Sequence, residues 1–149
     1  MEFNRLLSSA ISTYGEPNLE SIKGGIEETH KHEKINSKNY HLINEINKLD
    51  KWIEEAEELG EIAVDTETNS LDPHQAELVG ISLSTKIGKA CYVPIGHKSK
   101  KCLSKELVIK KLKPLLEDLS IKKIGQNIKF DFIVLFHHGI NMSSMEDTM

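Results

Sequence analysis

From Tyr40 onward the chain switches between two hydrophobic periods, and the switching predicts its elements. "YHLIN" (40–44) reads as a short strand. In "LDKWIEEAEELG", Leu49, Trp52, Ile53, Ala56 and Leu59 recur at helical spacing, with Asp50 in the first turn and Gly60 as terminator. "EIAVDTET", "ELVGISLS" and "ACYVPIG" follow as strand-like runs. Turn chemistry fills the gaps: Asn69-Ser70 and Asp72-Pro73 in one, Lys86 to Lys89 with Gly88 in the other. Links this short predict an antiparallel meander, because a parallel return needs a crossover of about a dozen residues or more.

A second helix is expected over "SKELVIKKLKPLLEDL". Ser104 is its N-cap, and Leu107, Val108, Leu112, Leu115 and Leu116 mark its apolar face. Pro114 lies inside that pattern and is expected to kink or divide the helix. "KKIGQN" predicts a short strand and turn, and "IKFDFIVLFHHG" a helix with Asn127 as N-cap and Gly139 just past its end. The predicted order is strand, helix, three strands, helix, strand, helix, an α/β domain with a mixed sheet. Residues 1–38 have a different texture, rich in Ser, Gly, Glu and Lys without sustained apolar periodicity. They are expected to form a polar linker with a short helical piece at "EFNRLLSSAI"; His30 and His32 within it carry no expected metal role.

Composition changes this picture little. A chain of 149 residues with 28% charged and 38% hydrophobic residues suits one soluble compact domain. A net charge of −4 gives no electrostatic sign of nucleic-acid binding and does not exclude it. The lysines of "HKSKKCLSK" and "IKKLK", with Lys122, Lys123 and Lys129, read as solvated surface. Cys91 and Cys102 fit no metal spacing and are expected to be free thiols in a reducing compartment. With no apolar run of membrane-spanning length and no secretory h-region at the N-terminus, the expected location is cytoplasmic.

The candidate chemistry lies in "IAVDTETNSLDP". Residues two apart on a strand share a face about 6.5–7 Å apart, so Asp65 and Glu67 project together. Two carboxylates within ~4 Å repel by about 4 kcal/mol at an effective dielectric near 20. Protonation of one, a basic partner or a divalent cation would offset that repulsion, and a shared Mg²⁺ or Mn²⁺ suits the all-oxygen pair. Asp131 lies one helical turn after Asn127 in a segment apolar on most sides, and a buried carboxylate needs a partner. That partner is a lysine, a backbone amide, or the cation held by Asp65 and Glu67.

"VDTETNSLDPHQAELVGISLS" resembles the first exonuclease motif of the DnaQ-like 3′-5′ exonucleases, and "KIGQNIKFD" resembles the second. Together with "ACYVPIGH", "KPLLED" and "EDTM", they are similar to the proofreading domain of bacterial DNA polymerase I over about residues 39–149. The resemblance implies a ribonuclease H-like fold and two divalent cations held by four carboxylates. Asp65, Glu67 and Asp131 match three of those ligands. It also implies two-metal hydrolysis of single-stranded DNA 3′ ends to 5′-mononucleotides, with the polymerase domain of the same parent chain as partner. Thr68 and Leu71 match positions that contact the terminal nucleotide, Leu71 as an apolar wedge, and Gln126 and Asn127 match polar positions near the scissile region. Turn packing for Leu71 and helix capping for Asn127 are the competing roles.

One family feature is missing. The third motif, Tyr-x-x-x-Asp or His-x-x-x-Asp, does not occur; Asp147 in "EDTM" matches a non-ligand position. The chain is therefore expected to be a C-terminally incomplete exonuclease domain at 39–149, with 1–38 a linker or the tail of an upstream 5′-nuclease region. Weak metal binding and slow or absent hydrolysis are expected of it. A non-catalytic DNA-binding or structural module of a polymerase and a ribonuclease D-like RNA exonuclease are the alternatives. His137 and His138 are expected to meet the helix C-terminus or solvent, and His97 matches a family position to which no role is attached.

Overall fold

A computed structural model of the chain describes Ser8, Ser9, residues 11–13, Gly15, residues 39–98 and residues 102–149. The chain divides into two units, Met1–Lys34 and Ile35–Met149. In the first, Ser8, Ser9 and residues 11–13 are helical, within the expected short helical piece. Ser12 Oγ and Thr13 Oγ1 each donate to Ser9 O at 2.9 Å, and Gly15, at φ 81°, closes the turn onto Ile11 O. The rest of the expected linker, with His30 and His32, lies outside the described residues.

The second unit runs β1 (Tyr40–Leu42), α1 (Ile46–Leu59), β2 (Glu61–Thr68), β3 (Leu78–Lys86), β4 (Lys89–Pro94), α2 (Lys105–Glu117), β5 (Lys122–Gly125), α3 (Ile128–His137) and β6 (Met145–Asp147). The strands form one mixed sheet in the order β1-β4-β3-β2-β5-β6. The β2-β3-β4 meander is antiparallel, as its short links require, while β1, β5 and β6 pair in parallel with β4, β2 and β5. β6 departs from the predicted order. Its residues, Met145, Glu146 and Asp147, are all exposed, so no apolar alternation announces it; backbone pairing with Lys123, Ile124 and Gly125 makes it a strand.

Alternation along the central strands sorts side chains by face. Ile62 and Val64 on β2, Ile81 and Leu83 on β3, and Cys91 and Val93 on β4 are buried. They share one apolar cluster with residues of all three helices, among them Leu49, Trp52, Leu112, Leu116 and Leu135. Each such aliphatic side chain contributes roughly 1.5–3 kcal/mol by leaving water. The intervening positions, Ala63, Asp65, Ser82, Ser84, Ala90 and Tyr92, are half-buried or exposed on the opposite face.

Four local expectations need correction. α1 begins at Ile46, so Asp50 lies beyond its first turn, where it ion-pairs with Lys111 of α2 at 2.8 Å. Pro114 does not divide α2, which is continuous from Lys105 to Glu117 with a Ser104 cap accepting from Leu107 N. The proline sits on the exposed side of the helix, as does Lys110, whose carbonyl it deprives of a partner. Lys123 is not solvated surface but 0% exposed. Its Nζ donates to Asp118 O at 2.5 Å, Ile121 O at 2.6 Å and Ser143 Oγ at 3.4 Å, so it ties down carbonyls of the α2–β5 connection, and burial pushes its pKa down. Helix α3 is less buried than its composition predicts: Phe132 and Phe136 stack on each other at 6.0 Å, and Phe136 is exposed.

Candidate active site

The site forms where β2 outruns its neighbour. β5 pairs with β2 only through Glu61, Ile62 and Ala63, so that edge of β2 is free of strand pairing beyond Ala63. Asp65 and Glu67 are exposed on one face, and Thr66 between them is buried on the other. Helix α3 supplies the missing partner. Asp131 Oδ1 accepts a hydrogen bond from Thr66 N at 2.7 Å and another from Thr66 Oγ1 at 2.6 Å. The buried carboxylate, 2% exposed, thus finds a backbone amide and a hydroxyl rather than a lysine. Desolvation pushes the Asp131 pKa up; the two Thr66 bonds oppose that rise, and the Asp65 charge adds to it.

The three acids therefore meet the end of β2 from two sides. Alternation sends the Thr66 side chain toward the helices, so Asp131 arrives from the core side while Asp65 and Glu67 face outward. Among the described residues no group of three or more His, Cys, Asp and Glu is placed to hold a metal ion together. The donor chemistry nevertheless fits a hard cation, since Mg²⁺ keeps several waters and is commonly held by one or two carboxylates. Asp65 and Glu67 are the pair positioned for that. Asp131, with one oxygen engaged by Thr66, is close enough for its ionisation to feel Asp65.

The expected nucleic-acid contacts lie around this edge. Thr68 Oγ1 donates to Ser70 O at 2.8 Å at the start of the β2–β3 loop. Polar bonds hold that loop: Glu77 N donates to Asn69 Oδ1 at 2.9 Å, and the Asp72 carboxylate accepts from His74 N and Gln75 Nε2 at 3.0 Å each. Leu71 is 97% exposed, so turn packing does not account for it. Gln126 borders a depression of about 430 Å³ on the outward face together with Asp65, Ser82, Ala90 and Thr148.

Asn127 occupies the N-cap position of α3, but its side chain does not cap. At φ 54° and ψ 43° it is left-handed, a conformation Asn tolerates. The cap comes from β6: Asp147 Oδ1 accepts from Asn127 N at 2.9 Å and Oδ2 from Ile128 N at 3.2 Å. The Met149, Asn127 and Ile128 amides hold the Asp147 pKa down, as suits a carboxylate at a helix N-terminus. At the other end Gly139, at φ 85°, closes α3 as expected. His137 lies against His74 at 3.5 Å, and burial, ahead of the Lys105 charge, lowers the pKa of half-buried His138. Thr66, which fixes Asp131, was not singled out in the sequence, and Asp147, set aside there as a ligand, proves to be the cap of α3. A hydroxyl at an inward strand position between two acids was the available signal for Thr66.

A family model described as 3′-5′ exonuclease matches residues 40–149. The chain belongs to the 3′-5′ exonuclease family. The exonuclease is of the DNA polymerase I kind: DNA polymerase I of Rhizobium leguminosarum is 40% identical over 131 residues, 74% of this chain and 13% of that protein. The chain thus spans 13% of the length of that relative. Among solved structures, Brucella melitensis NrnC with bound Mg²⁺ is 28% identical at TM-score 0.52, covering 73% of this chain and 48% of its own. NrnC bound to pGG gives 32% identity at TM-score 0.52 over the same shares. Escherichia coli RNase D, at 22% identity and TM-score 0.56 over 73% of this chain and 27% of its own, shares the ribonuclease H-like fold. Among the described residues no helix of the exonuclease is long and apolar enough to cross a membrane.

Proposed function

We propose that the chain is the proofreading portion of a DNA polymerase I, shaped to remove nucleotides from the 3′ end of single-stranded DNA with Mg²⁺ or Mn²⁺. The observation that carries this reading is Asp131 bonded to Thr66, between the outward acids Asp65 and Glu67, at the edge of β2 that β5 leaves unpaired beyond Ala63. Asp65 and Glu67 would hold the cations, with Asp131 as a further carboxylate fixed in place by Thr66. When bound, such ions supply a water of lowered pKa and stabilise the leaving 3′-oxygen. Leu71 stands free to wedge beside a terminal base, while Thr68, Gln126 and Asn127 offer polar contacts to the strand. The polymerase domain of a longer parent chain is the natural partner, and a cytoplasmic setting follows from that role. Residues 1–38 fit a linker or the tail of a 5′-nuclease region preceding the exonuclease domain at 39–149.

Because three carboxylates stand where the family uses four, this 149-residue chain is expected to bind the cations weakly and to hydrolyse DNA slowly or not at all. Calorimetric Mn²⁺ titration, together with hydrolysis of matched 5′-labelled DNA and RNA strands, tests the reading. Weak Mn²⁺ binding lost in Asp65→Ala supports it, whereas binding indifferent to Asp65 and Glu67 overturns the site. Fast hydrolysis abolished by Asp65→Ala would keep the site and overturn the expected weakness. The likeness to NrnC, recorded with pGG, favours a second reading as an RNA-directed exonuclease, and faster loss of the RNA strand would establish it.

A further inference from the structure

The outward face carries a second constellation beside the acids. Tyr92 on β4 leans across β3 so that its Oη stands 2.0 Å from where a Cβ on Gly80 would be. The phenol occupies the space that a side chain at position 80 would take, and only glycine leaves it room. Gly80 is the cross-strand partner of Glu67. Cross-strand Cβ positions stand about 4.5–5.5 Å apart, which puts the Tyr92 hydroxyl within about 7.5 Å of the Glu67 Cβ. That gap admits one intervening polar group. Burial, and then the charge of Glu67, push the Tyr92 pKa up, in keeping with this proximity.

The hydroxyl is also aimed. After β4 the chain turns back over β3, with Ile95 N and Gly96 N both donating to Val79 O, at 2.9 and 2.8 Å. A Cβ on Gly96 would meet Leu78 O at 3.0 Å, so glycine permits this close return. His97 is thereby brought against Tyr92, Nε2 to Oη at 2.6 Å with the rings edge-on, and Cys102 Sγ holds the His97 carbonyl at 3.3 Å. Either tautomer of His97 leaves the phenol one free hydrogen-bonding direction: a lone pair if the phenol donates to Nε2, or its O–H if Nε2 donates. A sugar hydroxyl, both donor and acceptor, complements either state.

We propose that the Tyr92 hydroxyl, oriented by His97, contacts the 3′-hydroxyl of a terminal nucleotide bound at the acid site beside Glu67, so that this face recognises a free 3′ terminus. The proposal rests on the acid site being the exonuclease site. It assigns Tyr92 as a substrate-contacting residue and His97 as the residue that positions it.

The test is calorimetric binding of thymidine 5′-monophosphate and its 3′-deoxy analogue to the chain in the presence of Mn²⁺. One hydrogen bond corresponds to a preference of about three- to tenfold for the 3′-hydroxyl in the unsubstituted chain. Tyr92→Phe keeps the ring and should reduce that preference to within about twofold of parity. His97→Ala, outside the strands, should reduce it as well, and the double variant should be no worse than Tyr92→Phe alone because both act through one hydroxyl. A purely structural role would weaken both nucleotides equally. Equal affinity of the two nucleotides for the unsubstituted chain, or a preference that survives in Tyr92→Phe or His97→Ala, overturns this proposal alone. Absence of any Mn²⁺-dependent nucleotide binding by the unsubstituted chain overturns the exonuclease-site reading and this proposal with it.

Discussion

The two faces of the central sheet are built from the same strands, residue by alternate residue, and serve opposite ends. On one, Ile62, Val64, Ile81, Leu83, Cys91 and Val93 pack against three helices. On the other, Ala63, Asp65, Glu67, Ser82, Ser84 and Tyr92 stay at least partly open to solvent. The covered face stores the stability; the open face carries charge and hydrogen-bonding capacity that a core would reject. Asp131 is the exception that joins them. It is buried with the core yet bonded to the strand residue that separates the two outward acids.

The largest test of this division is on β3. Leu83→Ala should cost about 2–5 kcal/mol in denaturant unfolding, whereas Ser82→Ala next to it should stay within about 0.5 kcal/mol. Equal losses at the two positions would mean that the outward face also carries stability. Next in size is the cap that orients α3. Asp147→Ala should lower the denaturant midpoint by less than Leu83→Ala does and speed hydrogen exchange at the Asn127 and Ile128 amides. Unchanged exchange there would show that β6 does not hold the helix start.

Asp131 gives a smaller effect with a defined sign. Its folded pKa is raised, so the folded state holds the proton more tightly than the unfolded chain does. The stability this contributes is fully present below the unfolded pKa and is lost as pH rises through the folded value. In metal-free buffer Asp131→Asn should therefore melt higher than the unsubstituted chain at neutral pH, with the advantage gone in acid. A lower melting temperature at neutral pH would mean that the ionised carboxylate is worth more to the fold than its desolvation costs. The smallest change in stability belongs to the outward acids. Asp65→Ala and Glu67→Ala should leave unfolding within about 0.5 kcal/mol while each removes Mn²⁺ binding.

Periodicity and turn chemistry were enough to read the meander, the three helices and the alternation that separates Asp65 and Glu67 from Val64 and Thr66. Those signals are local: a side-chain period of two or 3.6, a Ser before a helix, a glycine after one. The family was legible too, because its first two motifs are short contiguous stretches. What stayed hidden depends on residues far apart in sequence. Lys123 looked like one more surface lysine until the α2–β5 connection folded its unpaired carbonyls around the ammonium. Asn127 sat where a capping side chain belongs, but an exposed tripeptide near the end of the chain added a strand to β5 and brought Asp147 to do the capping.

By itself, then, the sequence determined that the strands have one apolar and one polar face, and that two carboxylates share the polar one. Only the tertiary structure decided where β5 stops along β2. That stopping point leaves Thr66 N free of strand pairing, and an unpaired buried amide requires an acceptor. Asp131 is the acceptor that α3 brings to it, and so the third acid reaches the site through a backbone hydrogen bond that no local pattern encodes.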